Sequence, residues 1–138
     1  MKLARWISPA LIILGAIDIL TGIEMFFFPS SWFYKLVPGV PETGPFNAHL
    51  VADGGTFFLA IGVGLLIASR DPTRHWAAIV VAAIAGMMHA ALHIWSHEEG
   101  ILSLDHLTTE VLGIYIPALI LIAILFILRR ASAARNQG

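Results

Sequence analysis

Cysteine is absent from the chain, and charge is scarce. The first absence excludes disulfides, thiolate metal sites and thiol catalysis together. The second is a deficit: only 12% of the 138 residues are charged, where a soluble domain carries about a quarter. With 58% hydrophobic residues and a mean hydropathy of +0.83, the composition names lipid as the solvent. A net charge of −1 leaves no basic surface for nucleic acid. Linkers, low-complexity tracts and internal repeats are also missing, so residues 1–138 read as a single domain.

What is present is four long apolar segments, residues 7–28, 49–69, 76–95 and 107–128. About 20 residues rising 1.5 Å each cross a hydrocarbon core about 30 Å thick. In lipid every backbone group needs an internal partner, so segments of this length predict helices. The expected fold is an all-α integral membrane protein, a four-transmembrane-helix bundle. The first segment is expected to be a retained helix rather than a signal peptide: it runs too long, Asp18 interrupts it, and no small-x-small cleavage site follows.

Basic residues set the expected orientation. Lys2 and Arg5 precede the first segment, Arg70 and Arg74 follow the second, and Arg129, Arg130 and Arg135 follow the fourth. The other two loops hold only Lys35. The positive-inside bias places both termini and the 70–75 loop in the cytoplasm of a multi-pass protein of the bacterial inner membrane. Trp6 and Trp76 then mark the inner interface, and Trp32, Tyr34 and Trp95 the outer one.

The polar residues fall on one side of this frame. Of the nine acids and six histidines, all but Asp71 and His75 belong to the outer half or its loops. His49 and Asp53 are four residues apart, as are His89 and His93, His93 and His97, and His106 and Glu110. Such pairs share a helix face, and an ionisable group costs about 2.5–3.5 kcal/mol at the centre of a membrane helix, so it tends to face inward and pair. Depth orders the groups: His97, His106 and His49 outermost; His93, Glu110, Asp53 and Glu24 about one turn deeper; His89 deepest, with Asp18 near its level. His89 and His97 stand about 12 Å apart along the axis and cannot share one ion.

Nitrogen and carboxylate donors without sulfur suit a transition metal: copper, zinc, iron or manganese. The expectation is a metal site in the periplasmic half, with His49, Asp53, His89, His93 and His106 as ligands. Glu24, His97 and Glu110 are further ligands or orient the ligands, and Asp53 or Glu110 is the candidate general base. Such a protein would be a membrane enzyme acting on a small-molecule or lipid-borne substrate, or a metal-handling protein. Two alternatives stand beside it: a haem or quinone membrane redox protein, and a structural or partner subunit whose polar cluster fixes helix packing. Four helices make a thin bundle, which predicts a homo-oligomer within the lipid bilayer.

Other polar positions have plainer roles. Asn47 and Asp105 are expected N-caps, Asp71 belongs to a turn before Pro72, and His75, Glu98 and Glu99 are solvated. Tyr115 fits the core as well as the site. Gly54, Gly55, Gly62 and Gly64 would permit close helix contact, and Pro117 would kink the last helix.

The run "GPFNAHLVADGGTFFLAIGVGLL", with the later "HAALHIW" and "LDH", resembles a family of small four-helix bacterial inner-membrane proteins grouped loosely with the DoxX-like proteins. The resemblance covers roughly residues 15–128 and implies no particular activity. A second likeness is one of spacing. His89, His93 and His106 read H-x3-H-x12-H, which is similar to the D-x3-H-x12-H copper-ligand pattern in the membrane subunit of particulate methane monooxygenase. His89 stands where that pattern has aspartate, and the likeness implies copper before the other metals.

Overall fold

The structure, a computed structural model, describes residues 3–135. Among the described residues it is all-helical without strands, and four helices are long and apolar enough to cross a membrane. They are α1 (Ile7–Phe27), α2 (Ala48–Arg70), α3 (Trp76–Glu98) and α4 (Leu104–Ala134). We call the end of the bundle carrying the 28–47 and 99–103 connections the loop end. The other end, with the 71–75 turn and the described ends of the first and last helices, is the terminal end.

Local chemistry explains most helix boundaries. α1 stops where Phe28 leaves the helical region (φ −132°, ψ 50°), as a residue preceding proline is pushed to do. Asn47 caps α2 as expected, its side-chain oxygen accepting from the Leu50 N–H at 3.1 Å. Asp71 also behaves as expected: its Oδ1 accepts from the Thr73 hydroxyl at 2.7 Å and the Arg74 N–H at 3.0 Å, closing the turn into α3. The expected cap at Asp105 is a correction. Helix α4 begins at Leu104, two residues earlier than a cap at Asp105 would allow, so Ser103 takes the cap position and its Oγ accepts from the Asp105 N–H at 3.2 Å. Asp105 itself lies in the first turn, where its charge faces the positive end of the helix.

The helix α4 is longer than its apolar run because Arg129–Ala134 are good helix formers that continue it past the hydrophobic stretch. It starts with a 3-10 turn (Leu104–His106) and contains a π-helical stretch, Val111–Tyr115, before the α-helical remainder from Ile116. Pro117 lies just beyond the wide turn. Having no N–H, it could not bond the Gly113 carbonyl in a regular α-ladder, so widening the helix there sacrifices little.

Glycines decide how the helices pack. A Cβ on Gly15 would lie 2.8 Å from the Gly62 carbonyl oxygen, and one on Gly62 would lie 2.7 Å from the Gly15 oxygen. Gly22 and Gly55 are reciprocal in the same way, at 2.7 and 2.9 Å. The backbones of α1 and α2 thus touch at two levels, the close approach small residues allow where lipid offers no hydrophobic drive. Gly55 and Gly62 therefore take the role expected of them. Gly64 does not, since its nearest neighbour would be the Ala78 Cβ at 3.8 Å.

Around this pair the helices pack in chain order, α2 on α3 and α3 on α4, while α1 and α4 scarcely meet. An apolar core, including Leu11, Leu65, Ile79, Ala83, Leu121 and Ile124, fills the terminal half. At the loop end, Phe33 tucks under the 28–47 connection against Met25 and Val51. Between the two, all four helices line a cavity of about 280 Å³. The outer faces are strongly apolar: Phe57 is 69% exposed and Met88 68%, a surface suited to lipid rather than water.

Candidate functional site

The most deeply buried carboxyl is Glu110, 5% exposed on α4 just before the π-helical stretch. Its Oε2 lies 2.7 Å from His97 Nε2, and its Oε1 lies 3.4 Å from His93 Nδ1. The i, i+4 spacing on α3 puts both imidazoles on one face, and α4 delivers the carboxyl between them. One turn deeper, the His89 ring meets the His93 ring edge-on at 4.8 Å between centroids, and Phe58 flanks His89 at 6.2 Å. His89 also lines the cavity, as does Asp18 from α1. The groups form a file running His97, Glu110, His93, His89, cavity.

The loop after α3 fixes a proton at the head of this file. Ser96 O accepts from both the Ile101 and Leu102 N–H groups, and Gly100 supplies a left-handed turn at φ +70°. That fold brings the Leu102 carbonyl to 3.1 Å from His97 Nδ1. A carbonyl only accepts, so Nδ1 carries a hydrogen. With Nδ1 occupied, a neutral imidazole presents Nε2 as a bare acceptor, and a carboxylate accepts only. A 2.7 Å contact between them requires one more proton: either the imidazolium donates to the carboxylate, or the carboxylic acid donates to the imidazole. Below them, His93 Nδ1 is buried and has no hydrogen-bond partner.

The other expected ligands are elsewhere. His49 and Asp53 face each other across 3.4 Å, with side chains 88% and 55% exposed, on the outside of the bundle. The cause is the rotation of α2. Gly55 must face α1, and two residues along a helix turn it by about 200°, so Asp53 points away from the interior. His106 is also withdrawn: its Nε2 pairs with Glu42 Oε1 at 2.8 Å, while Glu42 Oε2 accepts from the Ser103 N–H at 3.0 Å. Gly39, at φ +86°, packs so closely on His106 that a Cβ would stand 2.9 Å from the ring. This 39–44 strap holds α4 from outside. The two hydrogen bonds, that from His106 first and then that from Ser103, hold the Glu42 carboxyl below the usual carboxylate range. Glu24, partly buried on α1, makes no hydrogen bond or ion pair among the described residues.

The structure does not bring His49, Asp53, His89, His93 and His106 together. These residues are divided among an exposed pair, a strap and a file, and among the described residues no three His, Asp or Glu side chains are grouped to hold an ion. The H-x3-H-x12-H spacing likewise gathers no nitrogens, because His106 turns to Glu42. Glu42 was missed altogether at the sequence level. It lies 64 residues from its partner in a short polar loop, and nothing in "PETG" marks it.

Comparison with family models, with curated proteins and with solved structures finds no match in any of the three. The function is accordingly read from the geometry of the file itself.

Proposed function

We propose that this chain is a multi-pass protein of the bacterial inner membrane that moves protons along the His97–Glu110–His93–His89 file, between its periplasmic face and the mid-bundle cavity. The observation that carries the reading is the proton which Leu102 forces onto the His97–Glu110 pair, with the unpartnered His93 nitrogen next in line. A proton added to the pair leaves imidazolium and carboxylic acid together. Glu110 then releases a proton from Oε1 to His93 Nδ1 across 3.4 Å. His93 in turn gives one up toward His89, and at each transfer the donor loses and the acceptor gains a single proton. Histidine suits this work because its ordinary pKa lies near neutrality.

The orientation, with both termini cytoplasmic, is supported by Arg5, Arg70, Arg74, Arg129 and Arg130 at the terminal end against Lys35 at the loop end. Lys2, which the sequence counts with them, lies outside the described residues. Histidine-labelled protein tests the relay by nitrogen NMR. Wild type should show His97 protonated at Nδ1 and titrating together with His93. Glu110→Gln should return His97 to a plain neutral ring and uncouple the two. If His97 and His93 titrate identically in wild type and Glu110→Gln, no proton passes through Glu110.

A further inference from the structure

Asp18 is the polar group that the relay leaves unexplained. It sits in the middle of α1, and its carboxyl makes no hydrogen bond or ion pair among the described residues. It faces the 280 Å³ cavity, whose other walls are apolar except for His89. A carboxylate at this depth is costly unless a cation meets it. No Lys or Arg of the chain lines the cavity. Of the residues lining the cavity, His89 is the one other titratable group, and in the relay it holds a proton only in passing.

Two further features say what would meet this demand. Phe57 and Phe58 bring aromatic rings to the same cavity, and ring faces attract organic cations, most of all where water is excluded. Ile17, Phe57 and Gly113 line the cavity and are also exposed. The cavity is therefore not closed off, and most of its wall is apolar. Its occupant must carry an apolar body to match that wall.

We infer that this cavity binds a small lipophilic organic cation, a hydrophobic amine or quaternary ammonium, with Asp18 as its counter-charge and the two phenylalanines around its apolar body. The site requires the cavity and not the proton transfer proposed above. Failure of either reading is therefore visible without the other, since the relay has its own nitrogen spectrum.

The test uses the full chain in nanodiscs of neutral phosphatidylcholine, with empty discs as the control, at pH 8. The probe is benzyltrimethylammonium, set against neopentylbenzene, which has the same shape with carbon in place of the charged nitrogen. Calorimetry should show saturable binding of the cation to wild type, with the neutral isostere at least tenfold weaker. Asp18→Asn should weaken the cation at least tenfold and leave the isostere unchanged, while Asp18→Glu should retain it. The isostere comparison needs no substitution, so it stands even if Asp18→Asn misfolds. Three results overturn the inference: no saturable binding of the cation to wild type, equal binding of the two probes, or a cation affinity indifferent to Asp18→Asn.

Discussion

The His97–Glu110 contact can be weighed by a double-mutant cycle. Removing Glu110 as alanine leaves His97 Nε2 facing a gap where the side chain had been 6% exposed. The lost partner costs about 1–3 kcal/mol, and the vacated space adds to it. Removing His97 as alanine strands the carboxyl in the same way. With the shared proton on the imidazole, the contact is a hydrogen bond between charged groups, for which a coupling of about 1.5–3 kcal/mol is expected. Glu110→Gln separates charge from shape. Its amide can still donate to His97 Nε2, so it should cost only about 1 kcal/mol, the difference between a charge-assisted and a neutral bond. Unfolding in mixed micelles, followed by tryptophan fluorescence, gives all four corners of the cycle and the glutamine variant. The reasoning fails if the coupling falls below about 0.5 kcal/mol, which is the range of an exposed pair. It also fails if glutamine is as damaging as alanine.

Other substitutions separate the features that pack from those that do not. Gly22→Ile and Gly62→Ile should part α1 from α2 and lower thermal stability sharply, because each added Cβ meets backbone at under 3 Å, whereas Gly64→Ala should be tolerated. His49→Ala or Asp53→Ala should change unfolding by no more than about 0.5 kcal/mol, as befits an exposed ion pair; a larger loss would mean that this face is covered. The strap should depend on pH. Because the folded Glu42 carboxyl titrates below its ordinary value of 4.5, its contribution is fully present above that value and is lost as pH falls through the lowered one. Exchange protection of the Ser103 amide, taken relative to its intrinsic rate at each pH, should therefore fall in acid, and in Glu42→Gln it should show no such step.

The four helices were legible in the sequence because length and hydropathy suffice for them. Rotation about each helix axis was not. The spacing of His49 and Asp53 says that they share a face, but only Gly15 and Gly22 lying against Gly62 and Gly55 decide that the face looks outward. The same limit explains the part of the site that was found. His89, His93 and His97 had to share a face, and that face happened to meet Glu110, which the spacing had offered only as a further ligand. Long-range loop closure, as between Glu42 and His106, leaves no local periodicity to read.

The π-helical stretch in α4 also divides that helix into two independently phased halves. Below it, Ala118, Leu121 and Ile124 are buried and fix the rotation of the lower half. Above it, Glu110 looks into α3. A regular α-helix built upward from the same buried residues would be out of register by one residue, or about 100°. Glu110 would then swing clear of both histidines, and the file would lose its carboxyl without any change of residue. The wide turn acts as an index pin: it sets which way the proton-bearing side chain points. Forcing 111–115 into a regular α-helix at the same length would unset it as completely as removing the glutamate, whereas deleting one of those residues would absorb the slip and leave Glu110 facing α3.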